Sequence, residues 1–259
     1  MRSSTLARAV PTIYIMLLDS GIQREQMAGV RYFFSAAATM PVEVAERWKA
    51  TFHTPVYEGY GLTETSPFAS YNHEWHHRPG AVGTALANVE LRIVDADDQP
   101  VGPGTWGEIC MRGPNVMLGY WNRPAESVEA LRGGWFHSGD VGYTDDDGYV
   151  YIVDRTKDMI NSAGFKIWPR EVEEVLYQHP AIAECAVYGA PDPVKGEVPR
   201  AAVVLAAGHA ASGEELDAYC RQHLAAYKVP RTFELVPALP KSATGKILKR
   251  VLRDQAAAG

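Results

Sequence analysis

Cysteine is scarce: Cys110, Cys185 and Cys220 are widely spaced and odd in number. That excludes a disulfide scaffold and fits a reduced, cytoplasmic setting. Positive charge is not in excess either. Lys and Arg number 25 against 31 Asp and Glu, a net charge of −6, which argues against nucleic acid held by bulk electrostatics. No apolar run approaches the length of a membrane span. The opening "MRSSTLARAVPTIYIMLLDSG" lacks the long apolar core and small-residue cleavage site of a signal peptide. Its "PTIYIMLLDSG" predicts an amphipathic helix started by Pro11 and closed by Gly21. There is no internal repeat and, beyond the Ala-rich end, no low-complexity tract. Also missing is a phosphate loop. "PKSATGKILKR" (240–250) offers Gly245-Lys246, but Pro240 takes the place of the first glycine and Ile247 that of the metal-binding hydroxyl. Lys246 is then either a surface charge near a helix start or a single reaching cation.

What is present is the composition of an ordinary globular chain, 46% hydrophobic and 22% charged, long enough for one or two domains. Residues 1–75 mix helical and short apolar segments. "VRYFFSAAATMP" reads as a buried strand running into a small-residue turn. "PVEVAERWKATF" reads as a helix with Val44, Trp48 and Phe52 on one face. From about residue 80 to 153 the pattern becomes β: "VELRIVD", "GEICMRG" and "GYVYIVD" are short strands between glycine turns. They predict a small barrel or a distorted antiparallel sheet. After Asp154 the pattern changes again. "PREVEEVLYQHP" is a helix, "IAECAVYG", "AAVVLAA" and "RTFELV" are strands, and Ser212 with Glu215 forms a capping box for another helix. A last helix is expected from about Lys246. The expected division is 1–156 and 157–259, an α/β part that becomes β-rich, then an α+β module.

Three stretches carry candidate chemistry. "YEGYGLTETSP" (57–67) packs glycines, threonines and a glutamate into one loop. Glycines admit a ligand to the backbone, hydroxyls donate to phosphate oxygens, and a carboxylate holds a hard cation; the plain alternative is a polar turn. Around "GGWFHSGD" and "YIVDRTK", Asp140 follows a Ser-Gly turn and Arg155 ends a strand. A carboxylate and a guanidinium at loop mouths suit a ribose diol and a phosphate, and otherwise form a solvated rim. Asp145, Asp146 and Asp147 read as a hairpin turn. "HEWHH" (73–77) lacks the further ligands a metal needs, and Cys110 and Cys185 read as core thiols in apolar strands.

In order along the chain, "YGLTE", "GEICMRGPNVMLGYWNRP", "GWFHSGD", "DRTKDMINSAGFKIWPREVE" and "PKSATGKILKR" resemble the motifs of the adenylate-forming superfamily. That family comprises acyl-CoA synthetases, peptide-synthetase adenylation domains and firefly luciferases. The resemblance spans essentially the whole chain and corresponds to the family's second half. It implies part of a large α/β domain with a small β-barrel, followed by a mobile α+β domain. It places Tyr60 near adenine beside the turn Ala36, Ala37, Ala38, with Gly61 in the same loop. Thr63 falls at the α-phosphate and Glu64 on Mg²⁺. Asp140 holds the ribose hydroxyls with Arg155, Lys157 is the hinge, and Gly164 lies on the loop lining the pantetheine tunnel. Lys246 becomes the adenylation lysine, bridging the substrate carboxylate and the α-phosphate. Two departures accompany the match. The family's turn before the adenine site usually begins with glycine, and here it reads Ser35-Ala36-Ala37-Ala38. The Ser/Thr/Gly-rich loop that closes on the β- and γ-phosphates has no counterpart in the sequence.

The implied function is that of an ATP-dependent carboxylic acid–CoA ligase, leaning to acyl-CoA synthetases through "PREVEEVL" and "KVP". A fatty or aromatic acid is the expected substrate, with ATP/AMP, Mg²⁺ and coenzyme A, and with neither nucleic acid nor a membrane span. The expectation is little turnover by this chain alone, and either self-association or an N-terminal fragment as partner. The alternative is a non-catalytic nucleotide-binding or interaction module that needs such a partner; luciferase-like oxidation is a third reading that no residue marks.

Overall fold

The computed structural model describes residues 6–243 and 245–258, so Thr244 of the last motif lies outside it. The described residues form two compact units, one of 6–9, 29–40 and 54–157, the other of 10–28, 41–53 and 158–258. The chain is thus a mixed α/β fold. Among the described residues, no helix is long and apolar enough to cross a membrane.

The first unit holds two sheets. Strands β1 (Leu6–Ala9), β2 (Tyr32–Ser35), β3 (Val56–Tyr60), β4 (Ser70–Tyr71) and β5 (Thr84–Ala85) pair in that order. The first three run parallel, and β4 and β5 return antiparallel. Parallel neighbours need long crossovers, and here the two crossovers carry helices α1 (Pro11–Asp19) and α2 (Val42–Phe52). Strand β3 is buried at all five positions, as expected of a strand covered on both faces. Its Glu58 carboxylate accepts the Met40 N–H at 3.2 Å, so the buried acid is not left unsatisfied.

The second sheet is an antiparallel meander of β6 (Glu90–Val94), β7 (Gly107–Arg112), β8 (Phe136–Thr144) and β9 (Val150–Arg155), and α3 (Pro124–Ala130) interrupts the β7–β8 connection. It is open among the described residues, because β6 and β9 do not pair. The barrel suggested by the glycine turns is therefore not closed. Four strands give too little circumference to close around a filled interior. An apolar cluster of Tyr60, Val82, Ile93, Ile109, Phe136 and Val150 holds this unit together.

In the second unit, β12 (Ile182–Asp192) and β13 (Gly196–Leu205) form a long hairpin. β14 (Thr232–Leu235) and the small hairpin β10 (Ile160–Ser162) and β11 (Phe165–Ile167) both join it along β13, at different points of the edge away from β12. Both faces are apolar in alternation. Cys185, Val187 and Val203 join one cluster with Val172 of α4 (Pro169–Tyr177) and Leu216 of α5 (Gly213–His223). Ala186, Tyr188 and Ala202 join the other with Leu252 of α6 (Lys249–Ala258). The period of two in the strands thus requires helices on both faces. The capping box of α5 is formed as the sequence predicts: Glu215 N–H donates to Ser212 Oγ at 3.2 Å, and Ser212 N–H to Glu215 at 2.7 Å. Helices α1 and α2 belong to this unit. Val44, Trp48 and Phe52 are buried, Tyr14 meets Trp48 edge-on, and the Val42 N–H donates to Glu174 of α4 at 3.2 Å.

Candidate active site

Because β2 and β3 are parallel, both chains leave the sheet at the same edge, the carboxyl end where α/β folds bind ligands. The turn Ala36, Ala37, Ala38 leaves from β2 there, and Gly61, Thr63 and Glu64 leave from β3. Gly61 is required by close approach: a Cβ at this position would lie 1.9 Å from the Pro67 carbonyl oxygen. The chain then tightens into a 3₁₀ turn at Thr63–Thr65, with Thr63 exposed and Glu64 half-buried. The Tyr120 hydroxyl donates to Glu64 at 3.0 Å. That leaves acceptor capacity on the carboxylate, as a metal bound chiefly by phosphates and water needs.

Asp140 and Arg155 are cross-strand partners on β8 and β9. Arg155 Nε lies 3.1 Å from Asp140 Oδ1, and the Tyr60 hydroxyl donates to Oδ2 at 2.6 Å. Tyr60 and Asp140 are only 6% and 5% exposed. Burial, with the neighbouring Asp140 charge, holds the Tyr60 phenol well above its ordinary range, so it stays a donor. The position of Asp140 is fixed by Ser138, whose hydroxyl donates to the Ile109 carbonyl at 2.7 Å and accepts the Asp140 N–H at 3.0 Å. The Gly139 N–H donates to Glu108 at 2.8 Å.

The structure therefore brings Tyr60, Asp140 and Arg155 into contact and sets the turns at 36–38 and 61–64 on one sheet edge. Lys157 is exposed in a 3₁₀ turn at Thr156–Asp158. Gly164 and Lys246 belong to the other unit. Gly164, at φ 87°, is the exposed second residue of the β10–β11 turn. Lys246 lies ahead of α6 in a tight loop, not at a helix start. Its carbonyl accepts the Ser242 N–H at 2.8 Å, its N–H donates to Ser242 Oγ at 3.2 Å, and Thr12 donates to the Gly245 carbonyl at 3.1 Å. Ser138 and Tyr120 were not singled out by the sequence, although both fall inside quoted motifs, one in "SGD" and one in "GYW".

Two family patterns match this chain: AMP-binding enzyme over residues 2–121, and AMP-binding enzyme C-terminal domain over residues 171–246. The chain belongs to the adenylate-forming superfamily. Among curated members, a long-chain-fatty-acid–CoA ligase of Bacillus subtilis is 43% identical over 97% of this chain and 45% of its own length. A feruloyl-CoA synthase of an Amycolatopsis species is 42% identical over 96% of this chain and 51% of its own. The chain spans about half the length of the curated relatives it matches. Among solved members of the superfamily, the anthranilate CoA ligase AuaEII with anthranoyl-AMP has a TM-score of 0.91 at 32% identity. That match covers 98% of this chain and 50% of that one. ATP-bound MatB of Rhodopseudomonas palustris gives 0.92 at 34%, covering 97% and 51%.

Proposed function

We propose that this chain supplies the nucleotide-holding and lysine-bearing half of an ATP-dependent carboxylic acid–CoA ligase acting on a fatty or aromatic acid in the cytoplasm. The observation that supports it most is Asp140, a buried carboxylate gripped by Tyr60 and Arg155 midway along β8. In this reading Asp140 accepts both ribose hydroxyls of ATP, and the Thr63 hydroxyl donates to the α-phosphate. The turn Ala36–Ala38 and the backbone at Gly61 flank the adenine, which stacks near Tyr60. Glu64 would hold Mg²⁺, which when bound would neutralise phosphate charge.

The acid's carboxylate oxygen attacks the α-phosphorus, the bond to the β-phosphate oxygen breaks, and pyrophosphate leaves. Two anions must meet in that step, and the Lys246 ammonium offsets their repulsion where charge concentrates. In the second step the CoA thiol, losing its proton, attacks the acyl carbonyl and AMP leaves. Lys246 has no anion pair to bridge there. Lys157 serves as the hinge at the 156/157 boundary, and Gly164 lines the thiol's approach.

The chain's own contribution is testable by calorimetric titration with AMP and with a non-hydrolysable acyl-adenylate. Binding is expected, weakened roughly 10–100-fold in Asp140→Asn, the scale of a lost charge-assisted hydrogen bond. ATP–pyrophosphate exchange with a panel of acids, with and without a fragment carrying the family's phosphate loop, then tests the ligase. Lys246→Ala is expected to abolish exchange while sparing thioester formation from supplied acyl-adenylate. Nucleotide affinity indifferent to Asp140→Asn, or equal loss in both half-reactions, would overturn the assignment.

A further inference from the structure

One face of the β7–β8 pair carries a group that the proposed ligase chemistry does not use. Cys110 and His137 are register partners across the two strands, and Glu108, two residues before Cys110, falls on the same face. His137 Nδ1 lies 3.3 Å from Cys110 Sγ and 2.9 Å from Glu108 Oε2. Among the described residues, these three offer thiol, imidazole and carboxylate ligand atoms that all lie within 4.8 Å of one another. Asp98, on the β6–β7 turn, brings a second carboxylate, with Oδ1 3.8 Å from His137 Nδ1.

We propose that Cys110, His137, Glu108 and Asp98 form a binding site for a thiophilic divalent transition metal, with Zn²⁺ the best fit. A soft sulfur, an imidazole and oxygen donors in fourfold coordination suit that ion. The geometry is close to what it requires. Tetrahedral Zn²⁺ with ordinary bond lengths separates sulfur from nitrogen by about 3.6 Å and nitrogen from oxygen by about 3.4 Å. The two short gaps must therefore open, and the Asp98 gap close, by a few tenths of an ångström. Both strand residues are already held: Cys110 is fully buried and the His137 side chain is 3% exposed. Asp98 is 40% exposed in its side chain, which gives the ion a way in.

The surroundings supply the outer shell that metal ligands require. Gly139 N–H fixes Glu108 through its other oxygen at 2.8 Å. Arg132 holds both oxygens of Asp98 at 2.8 and 2.9 Å and reaches Glu108 at 3.2 Å. Binding of a divalent ion as the thiolate complex releases the thiol proton, one for each ion bound. Burial pushes the free thiol up to about 12, so the metal, rather than solvent, must drive that deprotonation.

The experiment is a titration of the intact chain with Co²⁺ followed by Zn²⁺. One equivalent of Co²⁺ should bind with a near-ultraviolet thiolate-to-cobalt charge-transfer band and tetrahedral visible bands, releasing about one proton per ion. Zn²⁺ should displace it. Cys110→Ser should abolish the charge-transfer band, and His137→Gln should weaken binding at least tenfold, with folding checked by circular dichroism. The band should survive in Cys185→Ala/Cys220→Ala and when His73, His76 and His77 are replaced. Absence of the band in the unaltered chain overturns the proposal without need of any variant. So does a band that survives Cys110→Ser, or one that is lost with His73, His76 and His77.

Discussion

Ala37 is an L-residue held at φ 72°, in the turn that leaves β2 at the ligand-binding edge. A side chain at that angle crowds its own backbone, at a cost of about 1–2 kcal/mol. Glycine removes the crowding but gives the unfolded chain about 0.4–1 kcal/mol of extra freedom. Ala37→Gly is therefore expected to stabilise the chain by roughly 0.5–1 kcal/mol, measured by urea unfolding; an unchanged or lower midpoint would show that the turn adopts another conformation. The same turn explains what could be seen of the site in advance. "SAAA" and "YGLTE" were legible because small residues and glycines follow apolar strands directly. Asp140 was legible because it follows a Ser-Gly pair, although it lies midway along β8, and Arg155 because it ends a strand. The contact of Asp140 with Arg155 and the facing of Cys110 with His137 depend on sheet register, and the grip of Tyr120 on Glu64 joins a loop to a turn 56 positions away. No local pattern in the chain encodes that.

Among the elements, those with a strong apolar period were found and those without were not. Helix α2 shows Val44, Trp48 and Phe52 at fourfold spacing, all buried. Helix α3 buries no residue, so it carries no stripe to read. The β10–β11 hairpin hides in "INSAGFKI" because its strands are three residues each. Its two-residue turn uses Ala163 and Gly164, both at positive φ, in place of the Asn-Gly pair that usually signals such a turn. The last helix starts at Lys249 rather than near Lys246. The Leu248 N–H is committed to the Pro240 carbonyl at 2.8 Å, and Lys241 pairs with Ile247, which keeps Gly245 and Lys246 out of the helix. The turn after β3 makes a sharper demand than any helix. With the Pro67 carbonyl 1.9 Å and the Phe68 Cα 2.6 Å from a Cβ at position 61, Gly61→Ala must displace backbone. A loss of about 1–3 kcal/mol or more is expected, read as a lowered unfolding midpoint. An unchanged midpoint would mean that the Tyr60–Phe68 turn is looser than described.

For the molecule as a whole, the titratable core sets an alkaline limit. Burial pushes the Cys110 and Cys220 thiols up to about 12 and holds Cys185 and Tyr177 well above their ordinary ranges. These groups are acids whose folded pKa exceeds the unfolded one. As pH rises, the unfolded chain releases its protons first and binds fewer of them, so stability falls with pH. The decline should begin near the ordinary thiol value of about 8.5 and steepen above the phenol value of about 10. Denaturant titrations at pH 7, 9 and 10.5 would show it (roughly the window set by those two values), and a flat profile would contradict the burial of these groups. The division of the backbone between the two units has another consequence. The chain passes from one unit to the other after residues 9, 28, 40, 53 and 157. Neither unit is therefore a contiguous stretch of the gene, and neither can be cloned by cutting once. A protease nick at the exposed turn near Lys157 should leave a particle that elutes unchanged from gel filtration and falls into two pieces only under denaturing electrophoresis. Separation of the pieces under native conditions would show that α1 and α2 do not belong with the residues after 157.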